Sequence, residues 1–136
     1  MKRILVAVDD SETSLRAVRL AAEIAAASKA ELLLAHVLVA PPADLYGLPT
    51  PEFQRIQQKV VNEIVTKAAA AAEGVRAETK LLKGKPAEAI ADAAVSSNVD
   101  LVVVGSRGRG AVTRVLLGST SDRLINICEK PVLIVH

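Results

Sequence analysis

Short, nearly unbroken apolar runs, separated by stretches with helical spacing, constrain this chain more than any other feature. Residues 4–8 (Ile-Leu-Val-Ala-Val), 32–39, 101–104 (Leu-Val-Val-Val) and 131–135 (Pro-Val-Leu-Ile-Val) carry almost no polar interruption. A strand with one wet face alternates, whereas a strand covered on both faces does not. A fifth run, 75–82, alternates at its start through Val75, Ala77, Thr79 and Leu81. The segments between have apolar residues at helical intervals: Leu15, Val18, Ala22 and Ala25; then Phe53, Ile56, Val60, Ile64 and Ala68; then Ala87, Ile90, Ala91, Ala94 and Val95; then Leu124, Ile125 and Cys128. The punctuation agrees. Ser11 or Thr13 can cap the first helix, Thr50-Pro51 opens the second, Gly74 follows its end, and Pro86 opens the third.

The resulting order is β-α-β-α-β-α-β-α-β, which predicts an α/β fold. With right-handed crossovers, the expected architecture is a single doubly wound five-stranded parallel sheet, order 3-2-1-4-5, with helices on both faces. One domain is expected over residues 1–136, since that length supports one core. In such a sheet the strand order reverses between strands 1 and 4, and ligands bind there, outside the carboxyl ends of the strands. The reversal would be lined by residues 9–11 and by the glycine-rich stretch from Gly105 to Gly118.

Composition removes several classes of function. Apolar residues make up 51% of the chain and aromatic residues 1%, so the core must be built from Ala, Val, Leu and Ile. Without aromatic platforms for bases to stack on, single-stranded nucleic acid is not an expected partner, and a net charge of +2 is no nucleic-acid footprint. The single cysteine, Cys128, allows no internal disulfide and no Cys-rich metal site; on a helical apolar face it reads as a small core residue. The apolar opening run ends at Asp9-Asp10, too soon for a signal-peptide core or a membrane span. A cytoplasmic location with no membrane partner is the expectation.

The chemistry concentrates in Gly105-Ser106-Arg107-Gly108-Arg109-Gly110 and, after seven further residues, Gly118-Ser119-Thr120-Ser121. Glycines let a backbone approach a ligand, and successive N–H groups in such a turn make an anion-binding concavity. Gly118-Ser119-Thr120 falls at an expected helix N-terminus, where free N–H groups and the helix dipole favour phosphate. Arg107, Arg109 and Arg114 add positive charge, and charge-assisted hydrogen bonds contribute about 1.5–3 kcal/mol each. The plain alternative is a glycine turn with solvated arginines. Two other phosphate motifs fail. Gly84-Lys85 is followed by Pro86 and preceded by Thr79 where a Walker loop needs Gly; Gly108 and Gly110 are followed by Thr113 where a dinucleotide fingerprint needs its third Gly. Asp9 reads either as a ligand at the reversal or as a cap for the next turn; Asp10 reads as a cap or a solvated acid. His36 reads as a packed core histidine and His136 as solvated. Tyr46 and Phe53 read as packing residues or as a shield over the crevice.

Over nearly its whole length the chain resembles the universal stress protein family. Residues 4–12 resemble its opening strand and acidic turn, and residues 33–37 its second strand. Gly105, Gly108, Gly118 and Ser119 match its nucleotide signature, Gly-x2-Gly-x9-Gly-Ser/Thr, at full spacing. The resemblance implies an ATP-binding regulatory or sensor protein of the stress response, with AMP or ADP as the other adenine nucleotides, Mg²⁺ in attendance, and a protein partner that reads its state. It implies that Asp9 approaches the adenosine, with Ala7, Val8 and Ser11 around it. Val37 would offer backbone contacts to adenine, and Gly105 would lie near the ribose. Gly108, Gly118, Ser119 and Thr120 would hold the phosphates, flanked by Arg107 and Ser121. It further implies a homodimer through the last strand, 131–135. Asp10 departs from the small residue common there, which bears on the pocket mouth or on a divalent metal. A slow metal-dependent ATP hydrolase, using Asp9 or Asp10, and a nucleotide-independent interaction protein are the alternatives. No residue is singled out as catalytic.

Overall fold

The apolar runs pair as a parallel sheet. In this computed structural model, which describes residues 1–38, 50–106 and 118–136, the strands are β1 (Arg3–Ala7), β2 (Glu31–Leu38), β3 (Ala77–Lys83), β4 (Leu101–Gly105) and β5 (Val132–Val135). They are ordered β3-β2-β1-β4-β5, and every pairing is parallel. The expected class and strand order are those observed. β1 is central: Leu5 lies opposite Leu33 on one side and Val102 on the other.

Strand alternation divides the interior into two layers. Ile4, Val6, Leu32, Leu34 and Val103 face one way, against Ala17, Val18, Ala21 and Ala25 of α1 (Glu12–Ser28) and Ile64 and Ala68 of α2 (Pro51–Ala71). Leu5, Leu33, Ala35, Val102 and Val104 face the other way. There they meet Ala87, Ile90 and Ala94 of α3 (Pro86–Ser96) and Leu124 of α4 (Ser119–Ile127). Each Val or Leu removed from water this way contributes about 1.5–3 kcal/mol. The alanines bring the helices close enough to seal the layers without aromatic side chains.

One sequence alternative is resolved and further expectations are corrected. The α1 cap is Ser11, whose hydroxyl accepts from the Ser14 N–H at 3.2 Å; Thr13 is buried inside the first turn. On α2, Phe53, Ile56 and Val60 are 40%, 59% and 41% exposed, and the buried ridge is Val61, Ile64 and Ala68. Of residues 51–60 only Gln57 is not exposed, so the first ten residues of α2 lie off the core and the buried ridge comes from the rest of the helix. Val95 and Ile125 are also exposed, because each lies a step of about 100° beyond the inward residues Ala94 and Leu124. Cys128, expected inward on the last helix, instead follows α4 as its extended cap residue and is half-buried against the second layer.

Tight turns use glycine where φ is positive: Gly74 at +95° after α2 and Gly84 at +116° between β3 and α3. Among the described residues no helix is long and apolar enough to cross a membrane. Tyr46, Arg107, Gly108, Arg109, Gly110 and Arg114 lie outside the described residues.

Candidate functional site

β1 and β4 are neighbours, yet from their carboxyl ends the chain departs to opposite halves of the sheet: β1 leads through α1 to β2, and β4 leads through α4 to β5. This is the reversal at which an open α/β sheet forms a crevice. Its floor is Gly105-Ser106. A Cβ on Gly105 would stand 2.7 Å from the Thr13 hydroxyl oxygen and 3.0 Å from the Thr13 carbonyl carbon, so glycine alone admits the first turn of α1 against the end of β4. Ser106 ties the other flank. Its N–H donates to the Val135 carbonyl at 2.7 Å, and its own carbonyl accepts from the Gly118 N–H and, at 3.0 Å, from the Ser121 hydroxyl. The starts of α1 and α4 thus converge on two consecutive residues.

The Ser106 hydroxyl is buried and, among the described residues, has no hydrogen-bond partner. A buried hydroxyl left unpaired costs on the order of 1–3 kcal/mol.

The acidic turn after β1 is tightly wound. The Asp9 N–H donates to the Ser14 hydroxyl at 2.9 Å, and Asp9 Oδ1 accepts from the Ser11 N–H at 2.7 Å. Asp9 is half-buried and Asp10 exposed. The carboxylate therefore caps its own turn, one of the two roles the sequence left open, at the end of β1 beside the reversal.

α4 begins differently from α1. Its cap residue, Gly118, has φ −64° and ψ 158° and brings no side chain to the first turn. The first N–H groups of a helix lack intrahelical acceptors, and the dipole concentrates positive potential there. Ser119 is exposed and Thr120 half-buried on that turn. Ser121 is buried, its hydroxyl within 3.0 Å of both the Ser106 and Gly118 carbonyls, so it holds the turn together from beneath.

On the β2 side, the Val8 N–H donates to the Ala35 carbonyl at 2.8 Å, and His36 Nδ1 lies 2.8 Å from the Val8 carbonyl. His36 is half-buried, with its ring engaged by backbone. Val37 follows, half-buried, its side chain against the second core layer.

The structure gathers Ala7, Val8, Asp9 and Ser11 at the end of β1, Val37 beside them on β2, Gly105 at the end of β4, and Gly118, Ser119, Thr120 and Ser121 at the start of α4. Arg107 and Gly108 lie outside the described residues. Sequence reasoning named Thr13 only as a possible cap and Ser106 only within the glycine-rich stretch, and missed Ser14; all three build the site without carrying a motif. The one available signal was Ser14 standing three residues after Ser11, a capping distance. No three His, Cys, Asp or Glu side chains among the described residues cluster as a self-sufficient metal site would require. A Mg²⁺ brought by phosphates takes its ligands largely from phosphate and water, so one or two acids such as Asp9 and Asp10 fit that chemistry.

Comparison with known proteins shows the family and the fold. The sequence profile of the universal stress protein family matches residues 1–136. A universal stress protein of Thermus aquaticus is 40% identical over 136 residues, covering 99% of this chain and 98% of its own. The crystal structure of a universal stress protein in complex with cAMP superposes with a TM-score of 0.71 at 30% identity, covering 99% of this chain and 97% of its own. A universal stress protein family protein of Arabidopsis thaliana with AMP bound gives 0.65 at 25% identity, covering 99% and 91%.

Proposed function

Because the chain belongs to the universal stress protein family, we propose that it binds an adenine nucleotide, ATP foremost, at the reversal between β1 and β4 and acts as a regulatory sensor. The observation that carries this reading is the start of α4: a helix N-terminus whose cap residue, Gly118, supplies no side-chain hydrogen bond, tied to the end of β4 through the Ser106 carbonyl. Free N–H groups fixed at such a point suit phosphate.

On this reading the phosphates lie against Gly118, Ser119 and Thr120, with Ser121 holding the turn from below; Arg107 and Gly108 join them on the strength of the sequence motif alone. Asp9, Ala7, Val8 and Ser11 face the adenosine, Gly105 lies under the ribose, and Val37 meets the base. The adenosine moiety is supported by the relatives crystallised with cAMP and AMP. ATP is placed first because its anionic chain matches both the uncapped helix and the arginines of the glycine-rich stretch. Mg²⁺, carried on the phosphates, would be shared with Asp9 or Asp10. Nucleotide occupancy would set the conformation that a protein partner reads.

The test is calorimetric titration of ATP, ADP, AMP and cAMP into the native protein and into the double variant Gly118→Val, Ser119→Ala. Micromolar ATP binding corresponds to about −8.2 kcal/mol. The double variant is expected to bind ATP at least tenfold more weakly, a loss of about 1.4 kcal/mol. Equal affinities would remove the reading, and tightest binding of cAMP would reassign the ligand.

A further inference from the structure

We propose that His36 is a positioning residue: it ends the β1–β2 ladder one residue early and reserves the Val37 N–H and C=O for the hydrogen-bonding edge of a nucleobase. This rests on the nucleotide reading above and adds to it the element that presents the base-binding backbone.

The register carries the argument. Ala7 lies opposite Ala35, and the Val8 N–H extends the ladder by donating to the Ala35 carbonyl at 2.8 Å. In a parallel ladder the next rung would join the Val37 N–H to the Val8 carbonyl. The chain does not complete it. The Val8 carbonyl instead has His36 Nδ1 at 2.8 Å, and since a carbonyl only accepts, Nδ1 carries the proton. The side chain of one residue thus occupies the acceptor that the backbone of the next would have used.

Successive residues of a strand direct their N–H and C=O to alternate sides. The Ala35 carbonyl points to β1, so both groups of Val37 point the same way. There β1 has already ended at Ala7, and the chain turns at Asp9, whose N–H is spent on the Ser14 hydroxyl. The Val37 side chain packs against the second core layer, which fixes its backbone. A donor and an acceptor on one anchored residue, opening into the crevice, complement the paired acceptor and donor on the Watson–Crick edge of a base. Filling the Val8 carbonyl with an imidazole keeps that pair open where simple strand extension would close it.

The experiment uses the full chain with two substitutions. His36→Phe keeps a ring but removes the donor; His36→Asn supplies an amide N–H near the Nδ1 position. Amide hydrogen exchange of Val37 is measured in nucleotide-free protein, together with the Kd for ATP and for inorganic tripolyphosphate. Val37 should exchange fast in the native protein and at least about tenfold more slowly in His36→Phe, as its N–H closes on the freed Val8 carbonyl. ATP should bind His36→Phe about tenfold more weakly with tripolyphosphate unchanged, and His36→Asn should restore both readouts to within about threefold. Exchange at Val37 that ignores the substitution, or equal weakening of ATP and tripolyphosphate, overturns the role of His36. Failure of the native protein to bind ATP, with exchange still responding to His36→Phe, overturns the nucleotide reading and the nucleobase part of this proposal, leaving only the ladder termination.

Discussion

Gly105 and Ser106 show how one residue can serve a site through its backbone. Gly105 is flush against Thr13, with no room for a Cβ. Its replacement by alanine forces the start of α1 away from β4, an overpacking cost of about 1–3 kcal/mol. Thr13→Ala removes the hydroxyl that stands closest to the new methyl. Denaturant unfolding of the two single variants and the double should therefore show the double losing less than the sum of the singles, as residues in contact do. Strict additivity would mean that the two residues do not meet. Ser106 contributes its N–H and carbonyl to Val135, Gly118 and Ser121, and its neighbour's lack of a side chain leaves space for the first turn of α1.

At the scale of elements, the start of β1 is secured by an acid from the turn before β4. Asp100 Oδ2 accepts from the Lys2 N–H at 2.6 Å and the Arg3 N–H at 3.0 Å, and these bonds hold its carboxyl below the ordinary range. Glu88 on α3 is lowered in the same sense, chiefly by the hydrogen bond from Arg123 on α4 at 3.0 Å. A carboxyl whose folded pKa is depressed adds stability above its unfolded value and loses it as pH falls toward the folded one. Both ties are thus intact at neutral pH and released below about pH 4. Asp100→Asn keeps an acceptor oxygen but not the titration. Melting temperature followed from pH 7 into the acid range should fall less steeply for this variant than for the native chain. Parallel acid limbs would show that the Asp100 tie does not contribute.

The whole molecule presents two sheet edges with different character. β3 carries Glu78, Lys80 and Lys83, all exposed, and charge on an edge discourages further pairing. β5 is four apolar residues, Val-Leu-Ile-Val. The Pro131 and Val135 carbonyls accept from Val102 and Ser106 of the β4 segment, so the N–H groups of Val132 and Ile134 point outward. A homodimer paired through this edge, as proposed from the family, would use those outward groups in an isologous contact. Ile134→Pro deletes one outward donor without touching the inward ladder, a position where an edge strand accepts proline. Light scattering should find the native chain dimeric and this variant monomeric with its circular dichroism retained. A variant that stays dimeric would place the interface elsewhere.

Sequence alone was enough for the alternation of strand and helix and the two-layered cover, because uninterrupted apolar runs and helical spacing are local patterns; the expected order 3-2-1-4-5 is one of the few doubly wound arrangements they permit, and the pairing of β1 with β4 selects it. Sequence also marked Asp9, Gly105 and Gly118 to Ser121, where small and acidic residues stand at element ends. Tertiary structure decided the rest. Burial of α2 begins at Val61, which no periodicity in Phe53, Ile56 and Val60 records. Thr13 beneath Gly105, Ser106 holding the start of α4, and His36 on the Val8 carbonyl are contacts between residues far apart in the chain. Their partners are chosen by strand register, and register exists only once the sheet has formed.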